Sequence, residues 1–568
     1  MPQQTPEHIY DLKSVDMPYL SGGKLKLFVS LLDGPTGNLL LGNLLKQAGI
    51  PWLRQQPFSD WPTFEPLVPA RAPTNAAQTL PQEQWPDENV THPPGWRFPT
   101  AFDYSGTYRE GILDPVTVAE RVLAAIEASE QRDPPLRAFI EQDREDVLRQ
   151  ARASARRWQD ERPLSLLDGV PVAIKDELDM TPYPTHMGTK FLGRAPVSED
   201  AIAVARMRAA GALLLGKTNM HEIGIGVTGF NPHFGTPRNP YDLTRYTGGS
   251  SSGSAAAVAA GFAPIALGAD GGGSVRIPAA FCGILGLKPT YGRVPEYGSF
   301  ALDFSVAHVG PLASSVGDLA LAYAVIAGPD PRDRLSVQQP LPTLEGWADT
   351  DLSDLTIGVF WPWFRHATPE MVQGNETMLA HFQRLGAQVR EIVIPDLEAA
   401  RVAHVITITT EMNQALDRDY DAHHKELGLD VRISLALSRA FNARDFVLAQ
   451  RVRTRLMAHF TRAFAEVDVI VTPAVGLTAP PIPESALPDG DSDLTTLTEI
   501  MRYAPFANLT GHPAMSFPVA YSQEGLPIAM QAVAPHWQEV TLFRLARAAE
   551  QHLQRRQPQL FFDILFRK

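Results

Sequence analysis

Between Thr247 and Gly283 the chain reads TGGSSSGSAAAVAAGFAPIALGADGGGSVRIPAAFCG, two glycine- and serine-rich clusters held apart by an alanine-rich run and a short apolar run. Gly248 and Gly249 permit a sharp turn, and the alanines that follow favour helix. Ser250, Ser251 and Ser252 are therefore expected near a helix N-terminus, where backbone N–H groups lack intrahelical acceptors. The apolar run PIALGAD predicts a strand that delivers the second cluster. There Gly271, Gly272 and Gly273 precede Ser274, and residues without side chains let their amides converge beside a hydroxyl, which is how an oxyanion hole is made. A phosphate-cradling loop competes for such a pattern, but no lysine follows these glycines with the GxxxxGK[ST] spacing.

Helical and extended signals alternate through much of the remaining chain. GVPVAIK, ALLLGK, LTIGVF, VREIVI, DVIVT and LPIAMQAV read as further strands, with AIAVARMRAAG and SSGSAAAVAAG as helices between them. The predicted class is α/β, one large mixed sheet with helices on both faces. Ahead of it, DPVTVAERVLAAIEASEQ predicts a helix capped by Asp114 with Pro115 at its first position, and another is expected from Asp143 to Trp158. Residues 51 to 100 hold eleven prolines, which disrupt continuous helix or sheet. The expected organisation is a helical extension over 1–50, an irregular wrapping segment over 51–105 and a single catalytic domain over 106–568. Within the extension, Leu25–Leu32 and Leu39–Leu45 flank Asp33-Gly34-Pro35, a turn signal that predicts a helical hairpin. Its polar residues are sparse, so it must pack on the body or meet lipid.

Charge and cysteine content exclude other classes. Lys plus Arg number 50 against 63 Asp plus Glu, a net charge of −13, which disfavours binding to a phosphate backbone; no nucleic-acid partner is expected. The single cysteine, Cys282, cannot form an intramolecular disulfide and reads as a small buried core residue. Acidic residues near the start, in MPQQTPEHIYDLKSVDMPYL, and the lack of any apolar run of about 18 residues predict a cytoplasmic protein. Peripheral membrane contact through residues 25–45 stays open.

A serine nucleophile needs a base. His233 and His308 lie nearest the clusters, and neither sits in a recognisable nucleophile elbow. Lysine can serve where burial disfavours its charged form. Lys175 ends the apolar strand GVPVAIK, on the same face as Ala173, although a lysine at a strand end is more often an ordinary solvated residue. Asp270 and Arg276 flank Ser274 and are expected to form an ion pair that fixes the loop. His221 and Glu222, in NMHE, are two ligands without a third, so no metal and no cofactor are expected.

LDGVPVAIKDELD, GALLLGKTNMHE, FGTPRNPYDLTRYTGGSSSGSAAAVAAG, LGADGGGSVRIPAAFCGILGLKPTYGRV, DVIVTPAVGLTAPPIP and GLPIAMQAV, taken in order, resemble the amidase signature family. MPYLSGGKLKLFVSLLDGP near the start and FFDIL near the end resemble its plant-type fatty acid amide hydrolases. The resemblance implies that Ser274 is the nucleophile, Ser250 a bridging serine on a cis peptide, Lys175 the base and Ser251 a supporting residue, with the amides of Gly271, Gly272, Gly273 and Ser274 receiving the oxyanion. It also implies fatty acid amide substrates such as N-acylethanolamines, and a homodimer. Two rival readings share the signature: a general aliphatic or aryl amidase, and the glutaminase component of a tRNA-dependent amidotransferase.

Overall fold

The computed structural model describes residues 9–15, 18–35, 37–69, 76–87 and 95–565. Eleven strands form one mixed sheet. In chain order they are β1 (Phe139–Glu141), β2 (Pro171–Lys175), β3 (Leu213–Thr218), β4 (Ile265–Ala269), β5 (Leu285–Lys288), β6 (Val309–Ala313), β7 (Thr356–Val359), β8 (Gln388–Glu391), β9 (Val469–Pro473), β10 (Ala514–Tyr521) and β11 (Pro527–Val533). Across the sheet the order is β8-β7-β9-β11-β10-β5-β6-β4-β2-β3-β1. All seven strands read from the sequence are present, and the class is α/β as expected. Central strands such as β2, β3 and β4 are buried along their whole length, which is why they read as unbroken apolar runs rather than alternating ones.

Pairing of β2 with both β3 and β4 is parallel. Their C-terminal ends therefore lie side by side, and the segments leaving them gather at one edge of the sheet, where open α/β sheets place their ligands. Helices close the faces. Those that matter below are α1 (Gly22–Leu32), α2 (Gly37–Gln47), α3 (Pro115–Glu130), α4 (Arg144–Gln159), α5 (Ser252–Ala259), α6 (Arg276–Phe281), α7 (Val316–Ile326), α8 (Leu397–His423) and α9 (Leu429–Arg439). Asp114 caps α3, accepting from Thr117 N at 2.8 Å with Pro115 at the first position. Asp143 caps α4 through Glu145 and Asp146.

The amino-terminal apolar clusters form the hairpin α1–α2. Leu25, Val29, Leu32 and Leu44 are buried with Ile433 of α9, and the chain entering α1 pairs Leu20–Ser21 with Asp491–Ser492. The opposite side stays open, with Leu27, Leu31 and Leu39 exposed by 61%, 44% and 75%. The hairpin thus both packs on the body and presents apolar side chains outward. Within the proline-rich stretch, residues 70–75 and 88–94 lie outside the described residues; the rest contains only short helical turns before a helix begins at Ala101. Among the described residues no helix is long and apolar enough to cross a membrane.

Candidate active site

Lys175 closes β2 and is fully buried. Its Nζ donates to Ser250 Oγ at 2.8 Å and to the Ala269 carbonyl at 3.2 Å. A third neighbour has no counterpart in the sequence reading: Glu177 Oε2 lies 2.7 Å from Nζ, with both side chains almost wholly buried. Lys175 is therefore not a solitary buried amine but stands in a buried pair with Glu177. Ser250 follows a cis Gly249–Ser250 peptide. Ser251 is the N-cap residue of α5; its N–H donates to the Ser274 carbonyl at 3.2 Å and its hydroxyl to Ala269 O at 3.3 Å. The serine triplet thus joins the end of β2 to the loop leaving β4.

Lys175, Ser250 and Ser274 line one narrow cavity of about 10 Å³, together with Glu177, Gly224, Asp270, Gly271, Asp303, Ile408 and Met412. That is room for roughly one water molecule. Beyond Gly224 in the chain, Ile225 to Thr228 wall a second cavity of about 220 Å³ that is further lined by Ile433, Leu494, Leu497, His221, Asp430 and Asp491.

The loop that carries Ser274 is held by buried charge. Arg276 forks onto Asp270, with Nε donating to Oδ2 at 3.0 Å and Nη2 to Oδ1 at 2.9 Å. Asp270 also accepts from Val275 N at 3.1 Å and from Asn508 Nδ2 at 3.0 Å. Burial pushes the Asp270 carboxyl upward, but the Arg276 guanidinium and these donors prevail and hold it well below the usual carboxylate range. Gly273 N–H donates to Asp270 Oδ1 at 2.7 Å. This amide is engaged by the carboxylate, so of the four amides expected to face an oxyanion, those of Gly271, Gly272 and Ser274 are the ones with no protein acceptor among the described residues. At Gly273, φ is +121° and a Cβ would come within 2.6 Å of Ala504, so the turn excludes any larger residue.

Three further supports come from elements far away in the chain. His404 on α8 meets the Gly271 carbonyl through Nε2 at 2.9 Å. Burial lowers its imidazole to about 4, so at neutral pH the ring carries one proton, and this contact places it on Nε2. Asn508 bonds the Asp270 carbonyl at 2.8 Å, and Gln531 Oε1 receives Arg276 Nη1 at 2.5 Å. None of these has a signal in the sequence. Glu177 is near Lys175 in the chain, two residues on in the turn that follows β2.

The side chains of the remaining sequence candidates turn away from this relay, although the His221 amide donates to the Ser250 carbonyl at 3.0 Å and the His308 carbonyl accepts from Asp270 N at 2.9 Å. His221 pairs with Asp430 at 2.9 Å, whereas Glu222 receives His233 Nε2 at 2.6 Å, so the two diverge to separate partners. Cys282 is buried, and burial pushes its thiol upward. His308 turns its Nδ1 to the Val306 carbonyl at 2.7 Å. Gly211 to Thr218 does carry the GxxxxGK[ST] spacing, outside the two clusters. It forms buried strand β3, and Lys217 Nζ is taken up by Leu178 O at 2.7 Å and Thr185 Oγ1 at 3.0 Å, which is no phosphate cradle.

The Amidase family profile matches residues 120–543, spanning the whole of this construction. The chain belongs to the amidase family. Fatty acid amide hydrolase of Arabidopsis thaliana is 40% identical, the alignment covering 98% of this chain and 96% of that protein. Fatty acid amide hydrolase of Medicago truncatula is 39% identical, with 98% of this chain and 96% of that protein covered. Among solved structures, the native peptide amidase of Stenotrophomonas maltophilia superposes with a TM-score of 0.70 at 29% identity, covering 81% of this chain and 98% of that one. This amidase is therefore an amide hydrolase.

Proposed function

We propose that this amidase hydrolyses fatty acid amides, N-acylethanolamines among them, through an acyl-enzyme on Ser274. The carrying observation is the 2.8 Å contact of Lys175 Nζ with Ser250 Oγ in the cavity that also holds Ser274. In this reading Lys175 passes a proton to Glu177 and takes one from Ser250, Ser250 takes one from Ser274, and the Ser274 oxygen attacks the amide carbon. The amides of Gly271, Gly272 and Ser274 receive the oxyanion. The proton returns through Ser250 to the nitrogen as the carbon–nitrogen bond breaks, since an unprotonated amide nitrogen is a very poor leaving group. Water then releases the fatty acid.

The likeness to the Arabidopsis enzyme over 98% of the chain supports the lipid substrate, as does the outward apolar face of the amino-terminal hairpin. That face, at residues 25–45, is the proposed place of peripheral membrane contact. A homodimer belongs to the same reading and is checked by sedimentation. The catalytic cavity is small, and this favours a second reading, a general aliphatic or aryl amidase. Hydrolysis of N-acylethanolamines of graded chain length, with Ser274→Ala as control, decides between them. Rates that rise with chain length and vanish in the variant support the proposal. A preference for short or aryl amides overturns the lipid substrate, and activity surviving in Ser274→Ala overturns the nucleophile.

A further inference from the structure

Asp303 lies in the loop between β5 and β6 and lines the cavity that holds Ser250 and Ser274. Its backbone carbonyl accepts from Val306 and Ala307. Its carboxyl group, only 4% exposed in the residue as a whole, has no hydrogen-bond partner among the described residues. The surrounding carboxylates are different. Asp270 is held by Arg276, Glu177 by Lys175, and Glu411 of α8 by Ser305 N at 3.0 Å and Ser305 Oγ at 2.5 Å. Asp303 Oδ2 occupies the space where a Gly271 side chain would begin, so it packs directly on the first residue of the glycine run.

Such a place suits one protonation state. The titratable groups acting on it are Glu177, Glu411, Asp270, Glu296 and Lys175, four acids and one base, and the base is already paired. An ionised Asp303 would have no donor and would oppose negative charge developing on the neighbouring oxyanion loop. A neutral acid meets neither objection and brings an O–H donor to the cavity. Burial, followed by the charges of Glu177 and Glu411, pushes the carboxyl well above the usual carboxylate range, with Lys175 pulling the other way.

We propose that Asp303 is a catalytic residue that, as an un-ionised carboxylic acid, donates its O–H to the tetrahedral oxyanion formed on Ser274, alongside the loop amides. No proton is transferred; the acid stays intact through the step. This rests on the reading of Ser274 given above. With the Gly273 amide engaged by Asp270, Asp303 would bring a further donor to the cavity.

The test compares wild type, Asp303→Asn, Asp303→Ala and Ser274→Ala in amide hydrolysis across pH, and in inhibition by an alkyl trifluoromethyl ketone, which forms a charged hemiketal with a serine. Asp303→Ala is expected to lower kcat roughly 10²-fold with KM little changed, and to weaken the ketone by a similar factor. Asp303→Asn keeps a neutral donor, so it should recover most of the loss. It should also abolish the fall of kcat/KM with rising pH that ionisation of Asp303 imposes on the wild type. Wild-type kcat in Asp303→Ala, or a high-pH limb unchanged in Asp303→Asn, overturns the proposal while Ser274 stands. Activity in Ser274→Ala instead overturns the nucleophile, and the role of Asp303 with it. Should the alanine variant fail to fold, the pH profile of the asparagine variant decides alone.

Discussion

Asp270 and Arg276 show how one buried pair fixes the loop that carries Ser274, and why neither partner is dispensable. Each is essentially inaccessible, and Arg276 reaches Asp270, Ala504, Gln531 and Asn508 at once. Arg276→Ala would strand the carboxylate, and breaking a buried pair costs about 3–5 kcal/mol; urea denaturation should show a loss of that order. Because the folded carboxyl is held below its ordinary value, the contribution is complete at neutral pH. It declines only as the pH drops below about 4, where the unfolded chain takes up a proton first. Lys175→Met tests the relay itself. Removing a general base typically costs about 10²–10⁴-fold, so single-turnover acylation should slow by that range, and an unchanged rate would sink the relay. Ser250 and Ser274 stand out in the sequence because their glycine-rich motifs are contiguous, whereas Lys175 ends an ordinary apolar run, and the roles of all three come from the resemblance to the amidase signature family. Glu177, His404, Asn508 and Asp303 do not stand out there, and for all but Glu177 the role comes only from being brought together by packing.

At the scale of elements, the strands legible from their apolar runs are those with few breakers inside them. Four others escape that reading, for identifiable reasons. β1 is three residues long, β5 has Gly286 within a four-residue strand, β6 carries Gly310-Pro311, and β10 carries Pro518 beside a register shift. Glycine and proline usually argue against an interior strand, yet β6 lies between β4 and β5, so tertiary pairing overrides the local signal. Helix ends are better marked. Asp318, in the first turn of α7, receives Ser315 Oγ at 2.8 Å and the Ala101 amide at 2.8 Å, tying the start of one helix to the start of another. Burial pushes its carboxyl up to about 7. The unfolded chain releases this proton near 4, whereas the folded protein keeps it until about 7. Stability should therefore fall as the pH rises from about 4 to 7 and level off above. Denaturation midpoints of Asp318→Asn, compared with wild type at the two ends of that window, should lack this component of the slope; an identical slope in both would refute it.

For the whole molecule, the open question is what the hairpin α1–α2 does with an apolar face that the body leaves uncovered. Deleting residues 1–50 would remove the face but also strip Leu25, Val29, Leu32 and Leu44 from Ile433 of α9, so lost activity could reflect damage to the fold. Replacing only the outward residues separates the two effects. Leu27→Ser, Leu31→Ser and Leu39→Ser combined alter side chains that are 44% to 75% exposed, and surface changes of this kind usually shift stability by no more than about 0.5 kcal/mol each. The expected result is a melting temperature near that of wild type, reduced co-sedimentation with phospholipid vesicles, and slower hydrolysis of long-chain amides with short-chain rates preserved. That pattern follows if the face delivers lipid substrate, because burying apolar side chains in the bilayer interface is what holds such a helix there. Unchanged vesicle binding together with dissociation of a dimer would assign the face to a second copy of the chain. An equal drop on short and long amides would mean that the hairpin acts through the fold and not through the route of the substrate.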